Sequence, residues 1–211
     1  MNKELLEIYD LNDKLIGTQK RDEFYKEIKE EFAKTGKISR KVKSIRLFLL
    51  NSQGRIYLQK RSRLKPENPG LYDKTVGGHV SADDSFDMTV IRECAEELGI
   101  PAAIVPYEDF DKAIKSTDLS IIGIFRKIDL NQNFMSTRIS INQIKFFKPY
   151  ISSIYLGYYD GSIKFKDGES TGIEVFSLDE LKDELKTNPQ KFTEDVKFLL
   201  NKYENLLKPI K

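Results

Sequence analysis

Short apolar, β-prone runs bounded by turn-forming residues predict seven β-strands along the chain. They cover residues 5–9, 15–20, 45–50, 55–60, 119–128, 143–147 and 151–158. The first two flank Asn12-Asp13 and predict a small hairpin at the amino terminus. The third and fourth flank Asn51-Ser52-Gln53-Gly54, whose composition is typical of a turn between strands.

Apolar residues at helical spacing, together with start and stop signals, predict four helices. They cover residues 22–34, 86–98 and 178–186, and a last segment that begins after residue 193. Gly36 follows the first helix and Gly99 the second, and glycine is a common residue at helix ends. The amino-terminal caps are Asp84 or Ser85 for the second helix, Ser177 with Glu180 as a capping box for the third, and Thr193 for the fourth.

Two segments show neither pattern, and we interpret them as loops. Residues 62–75 contain Pro66, Pro69 and Gly70, which break regular structure. Residues 129–142 are polar and rich in asparagine, which predicts a long loop or an insertion. No internal repeat or low-complexity tract occurs, so the sequence predicts one mixed α and β domain that begins with a hairpin and a helix.

The composition excludes several classes of protein. The 211 residues are 39% hydrophobic and 32% charged, enough to bury a core beneath a solvated surface. No apolar run approaches the roughly 20 residues of a membrane helix, and the first residues lead into no signal-peptide segment. Cys94 is the single cysteine, so no internal disulfide can form, and we expect a soluble cytoplasmic protein.

The charges are segregated although their sum is only +2. Residues 37–65 contain ten basic residues and no acidic one, whereas residues 83–111 contain nine acidic residues and one basic residue, Arg92. Adjacent blocks of opposite sign suit an anionic ligand together with a cation. The alternative is two solvated faces that happen to balance.

Three carboxylates lie on one face of the second predicted helix. Because residues three and four apart are neighbours on a helix, Glu93 meets both Glu96 and Glu97, and the three charges repel. A hard divalent cation such as Mg²⁺ prefers oxygen ligands and would resolve the repulsion. The turn around Gly77 lets the backbone approach closely, so the carbonyl of Gly77 is a further candidate ligand.

The segment that carries these acids resembles the Nudix box of the Nudix hydrolases. The matching residues are Gly78, Arg92, Glu93, Glu96, Glu97, Gly99 and Ile100, with Cys94 at an aliphatic position. Asp84 stands where the family has glutamate. Since Asp84 is one methylene shorter, we expect a weakened contact to Arg92 and a looser loop, with the metal site intact.

The resemblance implies an α/β (α+β) fold, a Nudix-type α/β/α sandwich around a mixed β-sheet. Residues 37–211 would form the Nudix domain, and residues 1–36 an extension of that domain. The implied cofactor is Mg²⁺ or Mn²⁺, which would be bound by Glu93, Glu96, Glu97 and Gly77. The implied catalytic residues are Glu93, as base or ligand, Glu96, Arg92 and Glu169. For Glu169 an ordinary turn acid is the competing interpretation.

Further segments resemble the Nudix branch that contains isopentenyl-diphosphate isomerase. They are residues 60–65, 69–72 and 77–80. By that resemblance Arg61 and Lys65 bind the substrate diphosphate, as a guanidinium fork and a point charge can. Arg63 and His79 are further candidates for substrate binding. Solvated loop charges, and for His79 a bond to the loop backbone, are the alternative roles.

These features favour metal-dependent hydrolysis of a diphosphate linkage in a small molecule, such as a nucleoside diphosphate linked to another group. Isomerase activity is disfavoured, because Gly77 occupies the position of the isomerase's catalytic cysteine and His79 is the single histidine. A non-catalytic module that binds a phosphorylated ligand or RNA is the third hypothesis. We expect no membrane partner, and the amino-terminal hairpin and helix could pack on a second copy of the chain.

Overall fold

The structure is a computed structural model that describes residues 4–164 and 170–210. The strands of this part are β1 Leu5–Asp10, β2 Leu15–Lys20, β3 Arg40–Leu50, β4 Ile56–Arg61, β5 Tyr72–Asp73, β6 Ala102–Ile104, β7 Gly123–Ile139, β8 Lys145–Tyr158 and β9 Ser170–Phe176. The α-helices are α1 Arg21–Thr35, α2 Phe86–Glu93, α3 Phe110–Ser116, α4 Leu178–Thr187 and α5 Glu194–Tyr203. No helix within these ranges is both long and apolar enough to cross a membrane.

The strands form one mixed sheet. Its main order is β2-β1-β3-β8-β7-β6, and β4 pairs with β3, β5 and β9. The pairs β3–β8 and β6–β7 are parallel, and the others are antiparallel. Because β4 leaves β3 after two paired residues and continues with β9, the sheet curls. The predicted mixed α+β fold is confirmed.

Alternating side chains of β3 divide the core into two layers. Phe48 and Leu50 join the larger cluster, to which α1, α3, α4 and α5 contribute. Ile45, Leu47 and Leu49 join the smaller cluster, in which they pack with the α2 residue Val90 and with Cys94 and Leu98, which follow α2. The helix that carries the acidic motif is thereby held against β3, one of the strands in the middle of the sheet.

Most predicted elements are present. The hairpin is β1–β2, and α1 ends at Gly36, whose φ of 70° is the left-handed conformation that favours glycine. The side chain of Ser85 caps α2 by accepting from the Met88 amide, and Ser177 with Glu180 forms the predicted capping box of α4. Thr193 caps α5 as predicted. The hairpin pairs with β3 through β1, so it extends the main sheet.

The prediction of a loop over residues 129–142 was wrong. Most of this segment continues β7 as far as Ile139, paired with β8. The register shifts between Lys127 and Asp129 and again between Asn131 and Phe134. These irregularities break the two-residue alternation of apolar and polar positions, and the pairing with β8 overrides the low strand propensity of asparagine.

Other differences are additions or changes of length. The strands predicted at residues 143–147 and 151–158 are one strand, β8, which runs through Pro149. The strand predicted from residue 119 begins at Gly123, and the loop predicted at residues 62–75 contains the short strand β5. The sequence patterns missed β6, β9 and α3, which are short or lack regular alternation. The division at residue 36 stays a prediction.

Candidate functional site

The helix that carries the acids changes its winding within the motif. The α-helical part of α2 ends at Glu93, and residues Cys94–Leu98 form a π-helical turn that stops at Gly99, φ 67°. Single π-turns inside helices are frequent at functional sites. Cys94 and Leu98 remain in the core, while Glu96 and Glu97 lie in this turn. Glu93 therefore ends α2, and Glu96 and Glu97 lie on a turn that the apolar core anchors.

Glu93 packs directly on the loop that contains Gly77 and Gly78, which we call the glycine loop. An ideal Cβ on Gly78 would lie 2.5 Å from Cδ of Glu93, closer than any real contact. The loop itself is fixed to β3, because the carbonyl of Gly78 accepts from the Ile45 amide at 2.9 Å. Glycine at position 78 is thus required for the Glu93 carboxylate to lie against the backbone.

Arg92 joins three of the acids. Its Nη1 lies 3.0 Å from Glu93 and 3.3 Å from Glu96, and its Nε lies 3.5 Å from Asp84. Its Nη2 donates to the carbonyl of His79 at 3.4 Å. Asp84 still contacts Arg92, through Nε of the guanidinium fork, but this contact is longer than those of Glu93 and Glu96, and the expected looser loop stays a prediction.

The three motif glutamates differ in exposure. Glu93 and Glu97 are buried, whereas the Glu96 side chain is 60% exposed. Burial raises the pKa of the Glu93 carboxyl, and the like charge of Glu96 adds to this, although Arg92 opposes both. The amide of Gln59 donates to Glu97 at 3.5 Å.

The oxygen atoms of the three glutamates and of the Gly77 carbonyl suit a hard divalent cation. Glu93, Glu96, Glu97 and Gly77 all line one cavity, and carboxylate and carbonyl oxygens are the ligands that Mg²⁺ and Mn²⁺ prefer. Within residues 4–164 and 170–210, no three acidic, histidine or cysteine side chains already stand at ligand spacing. Glu96 is turned to Arg92 and the solvent.

We call the cavity that these glutamates line the acidic cavity; it has a volume of about 640 Å³. A second cavity of about 290 Å³, the basic cavity, is lined by seven cationic side chains. They are Arg21, Arg46, Arg61, Lys65, Lys74, Arg138 and Lys148. Arg21, Gly77, Gly78 and His79 line both cavities, so the two adjoin along the glycine loop.

The predicted substrate-binding residues differ in their positions. Arg61 and Lys65 line the basic cavity, and His79 lies where the two cavities meet. Two donors of Arg61 already bind loop carbonyls, Nε that of Asn68 at 3.2 Å and Nη2 that of Glu67 at 2.9 Å. Arg63 is exposed and lines neither cavity. Glu169 lies outside the described residues.

His79 is part of an aromatic group beneath the glycine loop. Its Nε2 is hydrogen-bonded to the hydroxyl of Tyr25, which lies 3.3 Å from the hydroxyl of Tyr150. Burial, together with Arg21 and Lys148, holds the pKa of His79 well below its usual value. Burial therefore favours the neutral form of His79, which lies where both cavities meet and is hydrogen-bonded to Tyr25, whereas the alternative role expected a bond to the loop backbone.

The sequence patterns missed most of the basic cavity. Arg46, Lys74, Arg138 and Lys148 lie on separate segments of the chain, and no local motif connects them. One signal was available: Arg46 interrupts the otherwise apolar run of residues 45–50. A buried charge in a central strand indicates a partner or a ligand.

Comparison with known proteins agrees with the motif. The family model of the NUDIX domain matches residues 40–196 of the chain. A prenyl-diphosphate phosphatase of Methanosarcina mazei is 38% identical over 43% of this chain and 46% of its own. An isopentenyl-diphosphate Delta-isomerase of Serratia proteamaculans is 25% identical over 90% of this chain and 86% of its own.

The structural comparison shows the same fold. The crystal structure of DR0079 from Deinococcus radiodurans has a TM-score of 0.62 at 20% identity and covers 94% of this chain and 98% of that chain. Three curated relatives are matched over only 52, 54 and 46% of their own length, so the chain spans about half of each. Because the family match covers well over half of the chain, the chain belongs to the NUDIX family.

Proposed function

We propose that the chain hydrolyses a diphosphate linkage in an organic diphosphate, including those of the nucleoside-diphosphate-linked type, with Mg²⁺ or Mn²⁺ as cofactor. The observation that supports this most is the adjacency of the two cavities along Gly77, Gly78 and His79. A diphosphate that crosses this strip reaches carboxylates on one side and cations on the other. Such a site provides both charge neutralisation and positioning.

Each motif side chain has a place in this chemistry. A bound divalent cation supplies Lewis-acid stabilisation of charge on the phosphate oxygens. Glu93 is suited to accept a proton from the attacking water, since its pKa is raised by burial toward neutrality. Arg92 orients Glu93 and Glu96 by its hydrogen bonds to both. Arg61 and Lys65 bind the phosphate oxygens from the basic cavity.

The residues of the site do not support the isomerase hypothesis, although one relative is an isopentenyl-diphosphate Delta-isomerase. Cys94 is fully buried in the core beside Leu98, and it does not line either cavity. Gly77 provides no side chain for proton transfer. Among the described residues that line the basic cavity, the acidic ones are Asp22 and Glu67.

A panel of nucleoside, sugar, thiamine and isoprenoid diphosphates, incubated with pure protein and Mg²⁺ or Mn²⁺, tests the proposal. We expect phosphate release that a chelator abolishes. Glu97→Gln and Glu96→Gln should each lower kcat by about 100-fold or more, because each removes a cation ligand. Glu108→Gln, an exposed acid outside both cavities, is the matched control and should keep wild-type activity.

Two results would contradict the proposal. One is the absence of phosphate release from every substrate by a folded, metal-loaded protein. The other is equal activity in Glu97→Gln and Glu108→Gln. Interconversion of the two isomeric isopentenyl diphosphates would support the isomerase instead. RNA binding that falls steeply with salt, without any hydrolysis, would support a binding module.

A further inference from the structure

The innermost wall of the basic cavity is built by three neighbouring strands. Arg46 on β3, Arg138 on β7 and Lys148 on β8 all line the cavity. The strand register places Ser44 beside Ser152 and Ser136 beside Lys148, and residues two apart share a face of a sheet. The three cations therefore occupy one polar patch of the sheet, on the same face of β3 as Phe48 and Leu50.

This patch contains more buried cations than carboxylates. Five buried or half-buried cations take part in its ion pairs, namely Arg46, Arg61, Lys74, Arg138 and Lys148. Their carboxylate partners among the described residues are three, Asp73, Asp195 and Glu67. The five cations thus exceed their three carboxylate partners by two positive charges, and an excess of buried charge is destabilising.

Two guanidinium groups of the patch also have unused donors. Among the described residues, neither Nε of Arg46 nor Nε of Arg138 has a hydrogen-bond partner, although both atoms are buried. Arg138 lies 3.6 Å from Asp195 and 4.0 Å from Asp73, beyond hydrogen-bond distance to either. Arg46 is only 2% exposed, and its Nη2 is 3.4 Å from Asp195. A buried donor without a partner requires an explanation, and an acceptor bound in the basic cavity, which Arg46 and Arg138 line, provides one.

The missing acceptor has a definite chemistry. A phosphoryl group carries about −1.5 to −2 charge near pH 7 and three acceptor oxygens, which matches both the charge excess and the unused donors. The lining offers little to an apolar chain, since Ile45 and Pro66 are its aliphatic residues apart from the stems of the charged side chains. Lys148, which is paired with Glu67 at 2.7 Å, adds an ammonium group to the same wall.

We propose that Arg46, Arg138 and Lys148 form a binding site for a dianionic phosphoryl group of the substrate. The assignment to a substrate rests on the proposed function; the binding of phosphate does not. The phosphoryl group has two possible sources, the terminal phosphate of the diphosphate or a separate phosphomonoester on the organic part. Both require the same site, and kinetics distinguish them.

The direct test is calorimetric titration of the full chain with inorganic phosphate in metal-free buffer. We expect saturable binding at one site, weakened at least tenfold in Arg138→Gln. The matched control is Arg126→Gln, because Arg126 is also on β7 and also has an unpartnered Nε among the described residues, but lies outside the basic cavity. Because Arg138→Gln removes a surplus cation, it should fold, and thermal unfolding checks this. Lys148→Gln serves as a second variant.

The outcomes separate this site from the proposed function. Glu97→Gln should bind inorganic phosphate as the wild type does, even if no hydrolysis is ever found. No saturable phosphate binding by the wild type, or equal loss in Arg138→Gln and Arg126→Gln, would overturn the site. Unchanged binding in folded Arg138→Gln and Lys148→Gln would do the same.

The source of the phosphoryl group follows from kinetics with paired substrates that differ by one phosphomonoester. If the separate phosphomonoester binds here, Arg138→Gln should raise KM at least tenfold only for the substrate that carries it. If the terminal phosphate of the diphosphate binds here, both substrates should lose equally. No change for either substrate would contradict a role of this site in substrate binding.

Discussion

The carboxylate of Glu93 occupies the space that a side chain at Gly78 would need. A Cβ on Gly78 would meet Cδ of Glu93 at 2.5 Å and Cγ at 2.8 Å. The glycine is bonded to β3 through its carbonyl, and Glu93 is held from the other side by Arg92 at 3.0 Å. The position of this carboxylate is therefore fixed by two residues that lie 15 and 1 positions away along the chain.

Gly78→Ala should displace Glu93 and weaken Mg²⁺ binding and catalysis by about 10- to 100-fold, the usual effect of a lost supporting contact. Overpacking should lower the free energy of unfolding by about 1–3 kcal/mol. Calorimetric Mg²⁺ titration and urea unfolding measure the two effects. Gly172→Ala is the control, since a Cβ there meets no atom of the described residues within 4 Å. Equal Mg²⁺ affinity in both variants would refute the role assigned to this contact.

Asp84→Asn should lower the free energy of unfolding by no more than about 1 kcal/mol, because Arg92 is one-third exposed and solvent screens the pair. Asp84→Glu should change it by less than about 0.5 kcal/mol, since Asp84 already reaches Nε of Arg92. Arg92→Gln should be more damaging than either, because it leaves the buried Glu93 without its cation. Urea unfolding of the three variants gives the order, and a large gain from Asp84→Glu would contradict it.

Asp195 is the common partner of Arg46, Arg138 and Lys74, so Asp195→Asn should lower the free energy of unfolding by about 3–5 kcal/mol. Glu194→Gln, an exposed neighbour in the first turn of α5, should change it by about 0.5 kcal/mol. Guanidinium unfolding at pH 7 measures both. Comparable effects of the two substitutions would show that the buried network contributes little.

The same carboxylate gives the protein a predictable acid sensitivity. Burial alone would raise the pKa of Asp195, but Arg46, Arg138 and Lys74 outweigh burial and hold it below its usual value. A carboxylate with a lowered folded pKa stabilises the fold above its unfolded pKa of about 3.9, and this stabilisation is lost as the pH falls through the folded value. Stability should therefore decline below about pH 4, and the decline should be shallower in Asp195→Asn.

Cys94 is fully buried between the α2 turn and the sheet, so it should react with a thiol reagent only after unfolding. Labelling in native buffer should be at least 100-fold slower than in denaturant. Cys94→Ala should retain hydrolytic activity. It leaves a small cavity in the core, so the free energy of unfolding should fall by about 1–2 kcal/mol. Rapid native labelling, or loss of all activity in a folded Cys94→Ala, would contradict its assignment to the core.

Local patterns were sufficient for the elements whose signals lie within a few residues. Gly36 and the capping box at Ser177 predicted helix ends where the structure has them, and Ser85, one of the two candidate caps of α2, is the residue that caps it. The antiparallel pairing of β7 with β8 could not be predicted in this way. Its register shifts and its polar residues make sense only with β8 paired alongside, and that pairing joins residues far apart in the chain.

By itself the sequence determined the family and the acidic side of the site, because Gly78, Arg92 and the three glutamates lie within one loop and one helix. Helical spacing alone brings those side chains together. The tertiary structure decided the basic side, since Arg46, Lys74, Arg138 and Lys148 meet only when β3, β7 and β8 pair in register and α5 brings Asp195 beneath them. A buried charge network of this kind depends on long-range strand pairing, which no short sequence window contains.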